Sequence, residues 1–103
     1  KGIDLLKKNL TPKQRKTYDE KGSFYVTGSK TRKIYHIHYG TQMNIAELDW
    51  FGRKVATICF LPQGGLVAGD CMLAQKIMLE TDEPEALRIA NRFEDKGSAG
   101  TWV

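Results

Sequence analysis

The side chains with the widest chemical reach are His36 and His38, two apart in a candidate strand, and the two cysteines, Cys59 and Cys71. Strand alternation puts both imidazoles on one face, a spacing that can chelate a metal, and the thiols could complete four zinc ligands. The surroundings argue otherwise. There is no C-x-x-C or H-x-x-x-H pair, and both cysteines stand in apolar runs, where a free thiol acts as a small hydrophobe. A solvent-facing or partner-facing histidine pair is the plainer account, and no metal or cofactor is expected.

A cysteine nucleophile is a second option. Cys71 follows Asp70 at the start of a candidate helix, where the dipole would lower a thiol pKa and the adjacent carboxylate would oppose it. Two cysteines in core-like settings are a weak basis for catalysis. No catalytic residue is assigned, and a small metal- or thiol-dependent enzyme ranks last. The glycine-rich run from Gln63 to Gly69 has the outline of a phosphate cradle. It lacks the Lys-Ser/Thr ending, and Asp70 would put negative charge where phosphate sits, so it reads as a turn loop.

Charge gives a third chemistry. The 103 residues carry a formal charge of +4. Residues 1–40 hold ten Lys and Arg against three acids, a net +7, and the remainder holds six against nine, a net −3. A basic half suits a polyanion or an acidic protein surface; a merely well-solvated surface is the plain alternative. Lys30, Arg32 and Lys33 lead into a strand bearing Tyr35 and Tyr39 on one face and His36 and His38 on the other, and either face could be the buried one. A helix carrying Lys13, Arg15 and Lys16 could lie nearby. Sheets with exposed aromatics and basic rims bind single strands by stacking and phosphate contacts. No RNP-type or Gly-x-x-Gly signature accompanies them. Reversing Lys30, Arg32 and Lys33 is expected to spare the fold, because turn charges contribute little to stability.

The elements that must position these groups follow from local patterning. Residues 3–10 read as a short helix with Leu5, Leu6 and Leu10 inward. Thr11-Pro12-Lys13-Gln14 opens a surface helix with a capping box and a proline in the first turn; it runs to Glu20 and stops at Gly22. Strands are expected at Ser23–Thr27, Lys33–Tyr39, Met43–Asp49 and Lys54–Leu61, joined by short turns and so antiparallel. The stretch Ala68 to Phe93 is the centre of the fold: a buried helix capped by Asp70, with Leu73, Ala74, Ile77, Met78 and Thr81 at helical spacing, then a break near Thr81–Asp82. A second helix follows, capped by Asp82 with Glu85, carrying Ala86, Leu87, Ala90 and Phe93 inward. Ile77 is expected in the core and Lys76 in solvent.

The class is therefore α+β: an N-terminal helix, a four-stranded antiparallel meander and two C-terminal helices packed on the sheet. It forms one domain over 1–93 with a polar tail over 94–103. Free cysteines point to a reducing, cytoplasmic setting. No apolar run approaches the roughly 20 residues a membrane helix needs, and no signal-peptide pattern is read. The chain opens at Lys1 rather than Met, which leaves room for residues upstream.

The combination TPKQRKTYDEKGSFYVTGS, IYHIHYGTQMNI, CFLPQGGLVAGD and MLAQKIMLETDE, followed by ALRIANRF, resembles a family of small proteins of bacterial and phage or prophage genomes, over about residues 5–93. The resemblance carries no assigned activity or site residues. It implies a mobile-element origin, the host cytoplasm as location, and a small binding or inhibitory protein rather than a metabolic enzyme. The expected partner is nucleic acid or an acidic protein; a homo-oligomer, as in a self-associating virion component, is a further form the partner could take.

Overall fold

A computed structural model describes residues 2–60 and 67–94. Helices α1 (Gly2–Lys8) and α2 (Pro12–Lys21) precede strands β1 (Ser23–Thr27), β2 (Ile34–His38), β3 (Ile45–Leu48) and β4 (Lys54–Cys59). Helices α3 (Ala68–Thr81) and α4 (Glu83–Ile89) and a fifth strand, β5 (Asn91–Glu94), complete the order. The sheet is antiparallel throughout, in the order β1-β2-β3-β4-β5. The α+β class, the four expected strands and the two C-terminal helices are present; the fifth strand is the departure.

Local chemistry sets the α2 boundaries. The Thr11 hydroxyl accepts from the Gln14 backbone N–H, and the Gln14 side chain accepts from that of Thr11. At the other end Gly22 sits at φ 72°, a left-handed position that glycine takes without steric cost, and its N–H closes on the Tyr18 carbonyl. Gln14 also donates to the Tyr25 carbonyl at 2.7 Å, so α2 covers the free edge of β1.

The core lies on one face of the sheet. Phe24, Val26, Tyr35, Ile37, Ile45 and Ile58 meet Leu6 of α1, Met72, Leu73 and Leu79 of α3, and Ala86 of α4. Leu10 is buried as expected, whereas Leu5 points outward. The α1–α3 crossing is close: a Cβ on Gly69 would lie 2.4 Å from the Gly2 carbonyl carbon.

Three features of the central stretch differ from its sequence pattern. First, α3 is rotated. Ile77 is 49 % exposed and Thr81 faces out, while Gln75 and Lys76 are buried. Hydropathy assigns these polar residues to solvent, but each finds partners inside. Gln75 exchanges hydrogen bonds with the Asn44 amide and donates to the Phe60 carbonyl. Lys76 buries its stem and pairs with Glu80 at 2.6 Å. Second, the α3 cap is Val67 and not Asp70, which lies in the first turn, where a carboxylate suits the dipole equally well. Asp82 does precede α4, but its side chain makes no capping bond, and no capping box with Glu85 forms. Third, α4 ends at Ile89, and Asn91–Glu94 pair with β4, so Phe93 belongs to a strand and not to a helix. Helical and alternating patterns are hard to separate over so short a run. The strand is fixed by tertiary pairing, with Arg92 reaching Glu47. Expectations for Leu61, the Gln63–Gly65 loop and the tail beyond Glu94, with Trp102, lie outside the described residues.

Candidate functional site

The sheet face away from the core carries one row across all five strands: Tyr25, His36, Ala46, Thr57 and Phe93. Parity decides this. Phe24, Tyr35 and Ile37 take the core face, so their alternates take the other. Tyr25 stacks on His36 with ring centroids 4.2 Å apart and planes 18° apart, and His38 lies 4.0 Å beyond. A His36 ring nitrogen meets the Ser23 hydroxyl at 2.7 Å. Burial, with the His38 and Lys21 charges nearby, lowers the His36 pKa to about 4. His36 is therefore neutral at physiological pH and offers a flat ring rather than a cation.

Tyr35 departs from the candidate surface role, and Tyr39 keeps its exposure but stands apart from the His36 face. Tyr35 is fully buried, and its hydroxyl donates to Glu83 at 2.5 Å. Burial and that carboxylate hold its pKa far above the usual tyrosine range. Tyr39 is exposed, but it lies with Ile3 and Val67 beside a separate depression of about 270 Å³ at the α1 and α3 N-termini. Tyr25, which the sequence pattern leaves unremarked, is the tyrosine on the open face.

Two hollows flank Tyr25 and Ile34 and share both residues. The larger, of about 500 Å³, has apolar walls from Tyr25, Ile34, Leu48, Trp50 and Val55, with Arg32 and Lys33 among its polar lining. The smaller, of about 250 Å³, brings in Lys13, Gln14 and Thr17 from α2. This pair of hollows, one lined by α2 and the other by the β3–β4 turn, is the candidate groove. That turn is held rigidly: Asp49 accepts from the backbone N–H groups of Phe51 and Arg53 and from the Arg53 side chain. It presents Trp50, 84 % exposed, and Phe51, 82 % exposed.

The basic residues divide. Lys13, Lys16, Lys30 and Arg32 are exposed and make no ion pair among the described residues. Lys16 is one helical turn from Lys13, on the same side of α2. Arg15 lies 4.0 Å from Asp19, which Lys7 also binds. Lys33 is structural: with Arg92 it pairs with Glu47, a carboxylate only 3 % exposed. Reversing Lys33 would set two carboxylates together at a buried site, so the expectation that all three turn cations can be reversed harmlessly fails there. Arg32 stands at φ 64°, a left-handed conformation unusual for a residue with a side chain.

The cysteine and metal options gain no geometry. Cys59 lies on β4 and Cys71 is buried inside α3, its thiol pKa raised by burial and by the proximity of Cys59. That is the opposite of an activated thiolate. Among the described residues no group of three His, Cys, Asp or Glu side chains converges to hold a metal ion.

One buried group is not singled out by its sequence context. Glu83 accepts from the backbone N–H groups of Lys30 and Thr31 at 2.9 and 2.7 Å, from the Thr31 hydroxyl at 2.5 Å, and from Tyr35. Burial pushes its pKa up, but these donors outweigh it and hold the carboxyl below the usual range. Between Asp82 and Glu85 it looks like one more acid at a helix start. Glu83 is instead the template on which the Lys30–Arg32 turn is folded.

Among the described residues no helix is long and apolar enough to cross a membrane. The chain matches no family model, no curated protein and no solved structure.

Proposed function

We propose that this protein is a small non-enzymatic binding module that holds nucleic acid on its basic N-terminal half and the adjoining open sheet face. The observation that carries this reading is the groove shared at Tyr25 and Ile34, with Lys13 at one end and Arg32 at the other. Cations that make no ion pair among the described residues supply a salt-dependent attraction for phosphate, and the tyrosine and histidine rings supply flat surfaces for bases. A cytoplasmic location and a mobile-element origin fit the free thiols and the sequence resemblance, and belong to this proposal.

Fluorescence anisotropy with a labelled oligonucleotide at several salt concentrations tests it. Binding that weakens linearly on a log–log salt plot is the expected result. Absence of binding near about 50 mM salt would remove the reading.

The second reading is an acidic protein partner. The exposure of both Trp50 and Phe51 favours it, because aromatic residues and arginine dominate protein interfaces. Purification at low salt separates the two. A high 260/280 nm absorbance ratio supports nucleic acid; a clean spectrum with a discrete co-purifying protein supports the alternative.

A further inference from the structure

We infer that the 500 Å³ cavity beside Trp50 receives one unstacked nucleobase of a single strand, with Arg32 and Lys13 on the phosphates to either side. The inference rests on the nucleic-acid reading and names its ligand class. The volume lies in the range of small-molecule sites, and the walls are chiefly apolar and aromatic, as a base face requires. A base inside a duplex cannot enter a cavity without leaving its stack, so the site selects single strands.

The carboxylates there are already engaged. The Asp49 carboxylate is taken up by its own turn, and Glu47 by Lys33 and Arg92. Neither carboxylate of this lining is free to accept from a base edge, and the flat faces of Tyr25 and Trp50 suit any base, so recognition depends chiefly on stacking. Arg32 is the telling residue. It is held in a left-handed conformation that costs a side-chain-bearing residue energy, at a turn where glycine would be relaxed, and it lines the cavity with no carboxylate partner among the described residues. Lys13 supplies the matching cation across Tyr25 and Ile34.

Wild-type protein, Trp50→Ala and Arg32→Gly are titrated against a short labelled oligothymidylate and against its duplex with oligoadenylate, with circular dichroism as the check on folding. Trp50 is exposed and Arg32→Gly relieves a left-handed residue, so both variants are expected to fold. The wild type binds the single strand more tightly than the duplex. Trp50→Ala weakens single-strand binding by roughly 5- to 150-fold with an unchanged salt slope, because a stacking contact releases no counterions. Arg32→Gly flattens the slope by about 0.7. In a Trp102→Phe background, Trp50 fluorescence is quenched on binding. If the wild type binds but Trp50→Ala binds equally well, or the duplex competes equally, the base cavity is wrong and the broader reading survives. If the wild type binds neither probe, both fall and the protein partner takes their place.

Discussion

At the scale of single residues, Glu83 carries the most information about the fold. A buried carboxylate is costly unless donors surround it, and here two backbone N–H groups and two hydroxyls do. Glu83→Gln removes the charge and turns an amide donor toward other donors, and is expected to cost about 2–4 kcal/mol in urea unfolding. The pH dependence follows from the lowered pKa. Above the ordinary value of 4.5 the contribution is complete, and it is lost as pH falls through the lower folded value. The gap between wild type and Glu83→Gln should therefore narrow below about pH 4.5; a gap constant down to pH 3 would show that the charge is not what matters. Gly28→Ala probes the same contact from the other side. Its Cβ would stand 2.3 Å from the Glu83 carboxyl carbon, and eviction of that pinned group is expected to cost about 1–3 kcal/mol. None of this was legible in the chain, because an acid at a helix start has a sufficient local explanation in the dipole. That Tyr35 and not His36 faces inward depends on which sheet face is covered, which alternation alone leaves open, and Tyr39 escapes the core because β2 ends at His38.

At the scale of elements, the cap chemistry of α2 carried far, whereas the caps read for α3 and α4 and the rotation of α3 did not. The Thr11–Gln14 box, the Gly22 stop and the β1 boundaries are set by neighbours in sequence, and the structure reproduces them. The face of α3 is set by Asn44, Phe60 and Glu80, up to 31 residues away in the hydrogen bonds they make. The rotation gives a sharp contrast between two residues of one helix. Leu79→Ala, at a fully buried site, is expected to cost about 2–5 kcal/mol, while Ile77→Ala, half exposed, should cost under about 1 kcal/mol. Equal losses in chemical denaturation would mean that α3 presents a different face. The short β5 illustrates the same limit. Its sequence continues a helical pattern, and only the pairing with β4 and the Arg92–Glu47 ion pair make it a strand.

At the scale of the whole molecule, part of the basic half, Lys13 and Arg32 above all, comes to border one sheet face. The charge split is visible in composition; its convergence is not, because it needs α2 to lie along β1 and the turn after β1 to fold back on Glu83. Lys13 and Arg32 then flank hollows that meet at Tyr25 and Ile34. If that border is an electrostatic footprint, position should matter beyond net charge. Reversing Lys13, Lys16 and Lys30 to Glu changes the formal charge by two units each, from +4 to −2. All three are exposed and unpaired among the described residues, so the unfolding midpoint should barely move, with Lys33 left in place to serve Glu47. Oligonucleotide affinity should fall by orders of magnitude at low salt, and the log K against log salt slope should flatten by about 0.7 for each single-strand phosphate that is no longer neutralised. Lys8→Glu is the control: it sits on α1, which packs against α3 in the helical layer, and should lower affinity only through the general field. An affinity drop per unit charge as large for Lys8 as for the other three would mean that the protein attracts polyanions without a defined face, and the groove would lose its standing as the site.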